Sequence, residues 1–192
     1  GGIRGTIDDR QLEITAISGA QGGTLGVGTY NQTYKKLTWT GIATWRPTDQ
    51  TMLFAKVATG YVSGCILSGI PYRPENMTSY EMGAKTQFLD NRVRLNIAAY
   101  YNDYNDLQTQ NFINGRQFFD NAGKAKIKGF EAELDVVPER GLNLAGSLAY
   151  TDFDYDTFIL NGQEVAPFAR PTYFSNWTGR AAATYTSPDL TS

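Results

Sequence analysis

"RVRLNIAAYYNDYNDLQ", Arg92 to Gln108, decides how the rest of the chain is read. Val93, Leu95, Ile97, Ala99 and Tyr101 alternate with Arg92, Arg94, Asn96, Ala98 and Tyr100. A period of two marks a β-strand with two chemically different faces. In a soluble sheet the aliphatic face is the core and the arginines see water. In an outer-membrane barrel the aliphatic face meets lipid and the arginines line the lumen. The function turns on which face is inside.

The two-faced pattern recurs along the chain. Leu142, Leu144, Gly146, Leu148 and Tyr150 alternate with Asn143, Ala145, Ser147 and Ala149. Phe130, Ala132, Leu134 and Val136 alternate with Gly129, Glu131, Glu133 and Asp135, and Tyr80, Met82, Ala84 and Phe88 with Glu81, Gly83, Lys85 and Gln87. Alternation and turn residues together predict eight strands, near 2–16, 34–46, 51–61, 77–88, 92–104, 124–137, 142–155 and 173–186. Most exceed the ~5–6 residues of a globular strand and match the ~9–11 residues of a tilted membrane crossing. Aromatics gather toward strand ends, at Trp39, Trp45, Phe88, Tyr101, Tyr150, Trp177 and Tyr185, where a lipid–water interface would hold them.

The connections alternate in length. "PTDQ" (47–50), "LDN" (89–91) and "PERG" (138–141) are tight turns. Between them fall long connections at 17–32, 62–76, 105–123 and 156–172. All short turns therefore lie at one end of the sheet, as in outer-membrane barrels with short periplasmic turns and long extracellular loops.

Composition narrows the function. The chain of 192 residues has 17 basic and 19 acidic side chains, a net charge of −2, which with no basic cluster argues against nucleic acid. It has no histidine, which removes Ser-His-Asp and Cys-His catalysis and the usual zinc sets. Cys65 is the single cysteine and forms no internal disulfide. No apolar run approaches the ~18 residues of a membrane helix, which does not bear on a barrel. No signal peptide opens the chain, which begins "GGIRGTIDD" as though within a strand.

"YEMGAKTQFLDNRVRLNIAAYYNDYNDLQ", "NAGKAKIKGFEAELDVVPERGLNLAGSLAYTDFDYDTF", the preceding "YKKLTWTGIATWRPTDQTMLFAKVATGYVSG" and the opening "GGIRGTIDDRQ" resemble the barrel of the TonB-dependent outer-membrane receptors. Together they reach from Gly1 to about Ser187. The resemblance implies an all-β fold: an antiparallel up-and-down transmembrane β-barrel segment, about eight strands of a 22-stranded barrel, from its middle to late part. It implies a partial barrel domain over residues 1–192, since nothing here resembles the family's plug domain or TonB box. It also implies the outer membrane of a Gram-negative bacterium, contact with outer-membrane lipid, coupling to the TonB–ExbB–ExbD system through the plug region, and import of a ferric siderophore or similar scarce nutrient. No cofactor and no enzymatic activity are expected. The chain departs from the family at "SPDLTS", where the family's barrel ends in an aromatic residue. It departs again at Ser63, Gly64 and Cys65, where the family often has Ser-Gly-Gly.

Three groups of residues are candidates for function. Glu81, Lys85, Arg92, Arg94, Glu131, Glu133 and Asp135 share the polar face. One register sets Arg92 opposite Asp135, Arg94 opposite Glu133 and Asn96 opposite Glu131, a charge ladder worth ~0–1 kcal/mol per pair. A conduction path or plug-docking surface is the functional counterpart of that structural role. Asp152, Asp154 and Asp156 have the opening spacing of a calcium loop, but Thr157 replaces the turn glycine and Gln163 the bidentate glutamate. A parity shift from Leu148 and Tyr150 to Phe153 and Tyr155 points to a bulge there. Tyr61, Tyr72, Arg73, Phe112, Arg116, Phe118, Phe119, Tyr155 and Phe168 lie on long loops or their rims. Aromatics with arginine suit an anionic, ring-bearing ligand; loop-on-loop packing would use the same residues. The alternative function is a soluble eight-stranded lipocalin-like carrier of an apolar ligand. An outer-membrane esterase or phospholipase is disfavoured without histidine.

Overall fold

The computed structural model describes residues 1–15, 27–67, 70–113, 116–160, 163–171 and 174–187, the side chains of 67, 70, 110–113, 116–120, 122 and 160 excepted. Every regular element in it is a strand: β1 Gly2–Ile14, β2 Gly28–Thr48, β3 Thr51–Val62, β4 Cys65–Leu67, β5 Ile70–Tyr72, β6 Glu75–Phe88, β7 Val93–Ile113, β8 Arg116–Glu139, β9 Leu142–Leu160, β10 Gln163–Glu164 and β11 Trp177–Tyr185. Eight of these are the long strands expected from the alternation. They pair antiparallel in the order β1-β2-β3-β6-β7-β8-β9-β11, and β10 folds back on the far end of β9. The short β4–β5 hairpin stands apart from that sheet. Among the described residues β1 and β11 do not pair with each other, so the sheet is an open arc.

The tight turns fall where Pro, Asp, Asn and Gly predict them. Leu89, Asp90 and Asn91 take successive left-handed conformations at φ 53°, 54° and 64°. Gly141 turns the β8–β9 hairpin at φ 87°, and a Cβ there would stand 2.5 Å from the Thr186 carbonyl oxygen. That position requires glycine.

Four strands outrun their expected limits. β7 has 21 residues, β8 has 24 and β9 has 19, and β2 also has 21. At ~3.3 Å per residue β8 reaches roughly 80 Å, far more than a bilayer requires. The connection expected at 105–123 is therefore mostly strand, and the one expected at 156–172 begins as strand through Leu160. The hydrophobic alternation stops at Asn105 because both faces become polar, while the backbone ladder continues to Ile113 opposite Arg116.

Register places the faces. One row of Cα partners runs Trp45, Leu53, Ala84, Ile97, Ala132, Leu148 and Gly179 across seven strands. One residue along each strand the row reads Met52, Lys85, Asn96, Glu133, Ser147 and Arg180. The aliphatic row is not a core. Trp45 and Met82 are each 65% exposed, Ile97 47% and Leu148 46%. Among the described residues only Ile66, Val93, Ala125 and Ala166 are buried hydrophobics, and no large side chain is fully enclosed. A soluble carrier would have to tuck this face inside; here it forms a continuous outer apolar surface far beyond what a water-soluble monomer exposes. The aliphatic face meets lipid.

Close packing between strands occurs on the polar face. The Tyr100 ring lies over Gly129, its cross-strand partner, and its hydroxyl hydrogen-bonds with Thr151 Oγ1 at 2.7 Å. A Cβ on Gly129 would sit 2.7 Å from that hydroxyl and 2.2 Å from the Tyr150 carbonyl oxygen. Glycine here lets one aromatic side chain span three strands.

Candidate functional site

The β7–β8 register differs from the sequence expectation by two residues. Arg94 faces Asp135, Asn96 faces Glu133 and Ala98 faces Glu131. Arg92 falls in the turn, where its carbonyl accepts the Val137 amide at 2.8 Å. The same ladder continues to Ile113 opposite Arg116, well beyond the expected end of the strand, and the pairing there is in keeping with this register. A shift of two keeps every side chain on its face, so the polar wall survives while its ion pairs change. Lys56 and Glu81 pair across β3 and β6. Asn96 Nδ2 donates to Glu133 Oε2 at 3.2 Å. Arg94 and Asp135 are opposite in register but form no ion pair.

Where the strands leave the apolar band, the polarity of their faces inverts. Phe130, Tyr150 and Trp177 cluster on the aliphatic face, with Tyr150 and Trp177 centroids 4.8 Å apart. Beyond them the same face carries Lys128 and Lys126, opposite Asp152 and Asp154. Lys128 pairs with Asp152 at 3.2 Å and Asp154 at 4.0 Å, and Lys126 with Asp156 at 2.5 Å. Asp152, Asp154 and Asp156 therefore lie on a strand and neutralise two lysines. Among the described residues they form no metal-ligating cluster.

The opposite face becomes aromatic at the same level. Phe153 and Tyr155 meet edge to face at 4.8 Å, and Tyr155 stacks on Phe158 at 4.7 Å. Phe174 approaches Phe153 at 6.1 Å. The bulge inferred between Tyr150 and Phe153 is absent: β9 pairs β8 without interruption from Leu144 to Tyr155. The apolar residues change face because the surroundings change. A bulge does follow, at Asp156, and it brings Phe158 to the side of Tyr155.

A hydrogen-bonded brace holds the β4–β5 hairpin at the same rim. Arg73 pairs with Asp106 at 2.5 Å. The Arg73 amide donates to Asn121 Oδ1 at 2.6 Å, and Asn121 Nδ2 donates to the carbonyls of Arg73 and Asp106 at 2.9 and 2.8 Å. Gln108 Nε2 reaches the Ser63 and Arg73 carbonyls, and its amide donates to Glu75 Oε2 at 2.8 Å. Asp106 is the bulged residue of β7, at φ 55°. On the other side Arg10 donates to Ser63 Oγ at 2.8 Å and the Tyr34 hydroxyl to the Tyr72 carbonyl at 3.4 Å. The hairpin thus ties β1 and β2 to β7 and β8. Cys65 pairs with Tyr72 within it.

The loop candidates do not share one place. Tyr72 and Arg73 belong to the brace, and the Tyr61 hydroxyl bonds Asp8. Tyr155 belongs to the aromatic cluster, whereas Phe168 stands apart in a turn, 86% exposed. The side chains of Phe112, Arg116, Phe118 and Phe119 lie outside the described residues; their backbones continue the β7–β8 hairpin. Burial raises the phenol pKa of Tyr72 and Tyr155. Sequence reasoning missed Asp106, Gln108 and Asn121, whose roles depend on two opposed bulges. It also missed Phe153, Phe158 and Phe174 as a cluster, although the parity change in "YTDFDY" signalled it.

Comparison with known proteins agrees with this geometry. The family model "TonB dependent receptor-like, beta-barrel" matches residues 7–191. The metal-pseudopaline receptor CntO of Pseudomonas aeruginosa is 29% identical over 111 residues, 56% of this chain and 15% of that protein. The siderophore receptor PiuA of Acinetobacter baumannii superposes with a TM-score of 0.68 at 18% identity, over 95% of this chain and 28% of that one. The ferric-catecholate import receptor Fiu of E. coli K12 gives 0.62 at 16% identity, over 97% and 30%. For the ferric yersiniabactin uptake receptor FyuA of Yersinia pestis the values are 0.61 and 20%, over 81% and 24%. The chain spans under a third of the length of each of these relatives. With a lipid-facing apolar surface, a polar wall and short turns at one end, it belongs to the TonB-dependent receptor family, as part of a β-barrel in the outer membrane of a Gram-negative bacterium.

Proposed function

We propose that this chain is a middle-to-late part of the wall of a 22-stranded receptor that imports a ferric siderophore or a similar metal chelate. On this reading a plug region outside these residues couples the receptor to the TonB–ExbB–ExbD system. The observation that carries the proposal is the polarity inversion on β9: aromatic rings turn inward above the level of lipid, toward the mouth of the barrel. Such a surface, beside Arg73 on a braced hairpin, suits an anionic chelate with aromatic groups. Tyr61, Tyr72, Arg73, Phe112, Arg116, Phe118, Phe119 and Tyr155 are the proposed contact residues, joined by Phe153 and Phe158. The relatives support the substrate class, since three of them are receptors or importers for siderophore-type chelates.

The test uses the full-length receptor in a strain deleted for its own siderophore receptors, with a panel of radio-iron-labelled ferric siderophores. Each lost ring contact is worth ~0.5–1.5 kcal/mol, so Tyr155→Ala and Phe153→Ala should each weaken binding roughly two- to tenfold. Unchanged affinity in both variants would remove the aromatic cluster from the ligand site. Failure of the whole panel to enter through the wild-type receptor would exclude siderophore import.

A further inference from the structure

The ladder between β2 and β3 ends early, at Thr40 opposite Ala58, although β2 reaches back to Gly28 and β3 on to Val62. The strands on either side stay paired well past that level. β1 and β2 are joined to Ile14 opposite Gly28, β3 and β6 to Val62 opposite Glu75, and β6 and β7 to Asn76 opposite Asn105. At the break a side chain takes the place of the next backbone pair. Thr59 Oγ1 accepts the Trp39 amide at 2.9 Å and donates to the Trp39 carbonyl at 3.4 Å. An antiparallel strand turns its backbone groups alternately to either side. Leu37 and Lys35, like Trp39, therefore turn theirs toward β3, where among the described residues no strand meets them.

A seam thus runs up the wall from Thr40, at the end away from the short turns, with a backbone-paired bank on each side. One bank is β1–β2. The other is β3 with β6 to β9, and the β4–β5 hairpin belongs to it through Arg73, Gln108 and Asn121. Beyond the Thr59 clasp the bonds that cross the seam come from side chains. The Tyr61 hydroxyl donates to Asp8, Arg10 to Ser63 Oγ at 2.8 Å, and the Tyr34 hydroxyl to the Tyr72 carbonyl at 3.4 Å. No backbone–backbone bond crosses it among the described residues. Exposed or half-buried side-chain bonds exchange for bonds to water at small net cost, so a wall held this way opens here before its ladders part.

We propose that the seam is a gate in the rim: the β1–β2 bank swings from the β3–β9 bank about the Trp39–Thr59 clasp, and the Asp8, Arg10 and Tyr34 contacts latch it shut. Both banks belong to this chain, so the hinge is complete within it. Opening widens the mouth on the β1–β2 side and leaves Arg73 and the Phe153–Tyr155–Phe158 cluster in place, because they sit on the other bank. It also uncovers Cys65, which pairs with Tyr72 and lies near the Tyr34 phenol. The gate rests on the barrel reading and is independent of the ligand carried.

The experiment uses the full-length receptor in lipid vesicles. Spin labels on K35C/K124C span the seam, and labels on Y80C/D154C stay within one bank, each pair in a receptor otherwise free of cysteine. Pulsed dipolar spectroscopy should give two distances across the seam, the longer one gaining population in R10A/Y34F/Y61F, and one unchanged distance within the bank. In a receptor that keeps only Cys65, a water-soluble maleimide should label it about tenfold faster in R10A/Y34F/Y61F than with the latch intact. The Arg73 and Gln108 amides should be equally protected from hydrogen exchange in both. A single cross-seam distance, the same with and without the latch residues, would overturn the gate. Equal broadening of the Y80C/D154C distance would overturn it too, since the whole rim would then be loose. Should R10A/Y34F/Y61F fail to fold, the distances with the latch intact still decide. Two across the seam against one within the bank supports the gate; one against one removes it.

Discussion

β8 and β9 form one ladder, unbroken from Val136 and Leu144 to Ala125 and Tyr155, yet its two halves carry opposite patterns. Below Tyr150, Ala132, Leu134, Leu144 and Leu148 face outward and Glu131, Glu133 and Ser147 inward. Above it, Lys126, Lys128, Asp152 and Asp154 face outward and Phe153 and Tyr155 inward. The Phe130–Tyr150–Trp177 cluster marks the change. The backbone is the same in both halves, so the pattern reports the solvent on each side: lipid outside and water inside below, water outside and a sheltered mouth above. Alternation in a barrel thus locates the membrane as well as the strand.

The strongest way to break this comparison is to move charge across the boundary. Ile97 lies in the apolar band, 47% exposed on the outer face. Ile97→Arg should cost ~2–4 kcal/mol near the bilayer midplane, while Asn96→Gln, toward the lumen, should cost little. Lys128 shares the outer face above the aromatic cluster, and Lys128→Leu should change stability by less than ~1 kcal/mol, the worth of its exposed ion pair. Urea titration of the full-length receptor folded into lipid vesicles measures all three. If Lys128→Leu stabilised the protein by as much as Ile97→Arg harms it, the boundary drawn at Tyr150 would be too low.

A smaller effect separates the packed wall from the open one. Gly129→Ala places a methyl 2.2 Å from the Tyr150 carbonyl oxygen and should cost ~1–3 kcal/mol through overpacking. Gly146 has only the Arg180 carbonyl oxygen, 3.8 Å from such a methyl, so Gly146→Ala should be near neutral. Tyr100→Phe forfeits the bond to Thr151 and should cost ~0.5–1.5 kcal/mol. The same titration decides; equal costs for the two glycines would mean that β8 and β9 shift apart to admit the methyl.

The membrane-level fold was legible because lipid and water impose a strict period of two on each strand. Eight long strands and three tight turns could be read from Val93 to Tyr101 and its counterparts, whereas Arg92, expected among the lumen charges, falls in a turn. The rim was not legible in the same way. Asn105 to Gln110 lost their alternation and read as a loop, although they are paired backbone. Register escaped by two residues because the ladder runs on to Ile113 opposite Arg116, inside what looked like a long loop. The brace depends on Asp106 and Asn121 meeting across paired bulges, and no local pattern encodes that meeting.

The brace offers a test of the rim that the band cannot. Asp106 holds φ 55°, tolerable for aspartate but strained for a β-branched side chain. Asp106→Val should cost ~1–3 kcal/mol, combining strain with the lost Arg73 contact. Arg73→Ala removes only the exposed pair and should cost ~0–1 kcal/mol. Hydrogen exchange at the Arg73 and Gln108 amides should rise strongly in the first variant and slightly in the second. Equal protection in both would show that the hairpin is held from the Tyr34 and Arg10 side instead.

The smallest expected effect lies at the end of the rim, where Glu164 holds the Phe158 and Ala166 amides. Its Oε1 accepts the amides of Phe158 at 2.8 Å and Ala166 at 2.9 Å. These donors favour the ionised form and hold the carboxyl below its usual range. A folded pKa below the unfolded value of ~4.3 means that the contribution is complete above that value and disappears as pH falls through the folded one. From pH 7 to 5 the Phe158 and Ala166 amides should keep their protection, once exchange rates are corrected for their intrinsic pH dependence. Below about pH 4 protection should decline, and only locally, because Glu164 is exposed and meets the sheet only at the far end of β9, opposite Ile159. Glu164→Gln should exchange faster at neutral pH and show no such decline. If wild type and Glu164→Gln traced the same profile from pH 7 to 3, the carboxylate would not be the clasp, and the turn would be held by the Val165 amide on the Phe158 carbonyl, 2.8 Å long.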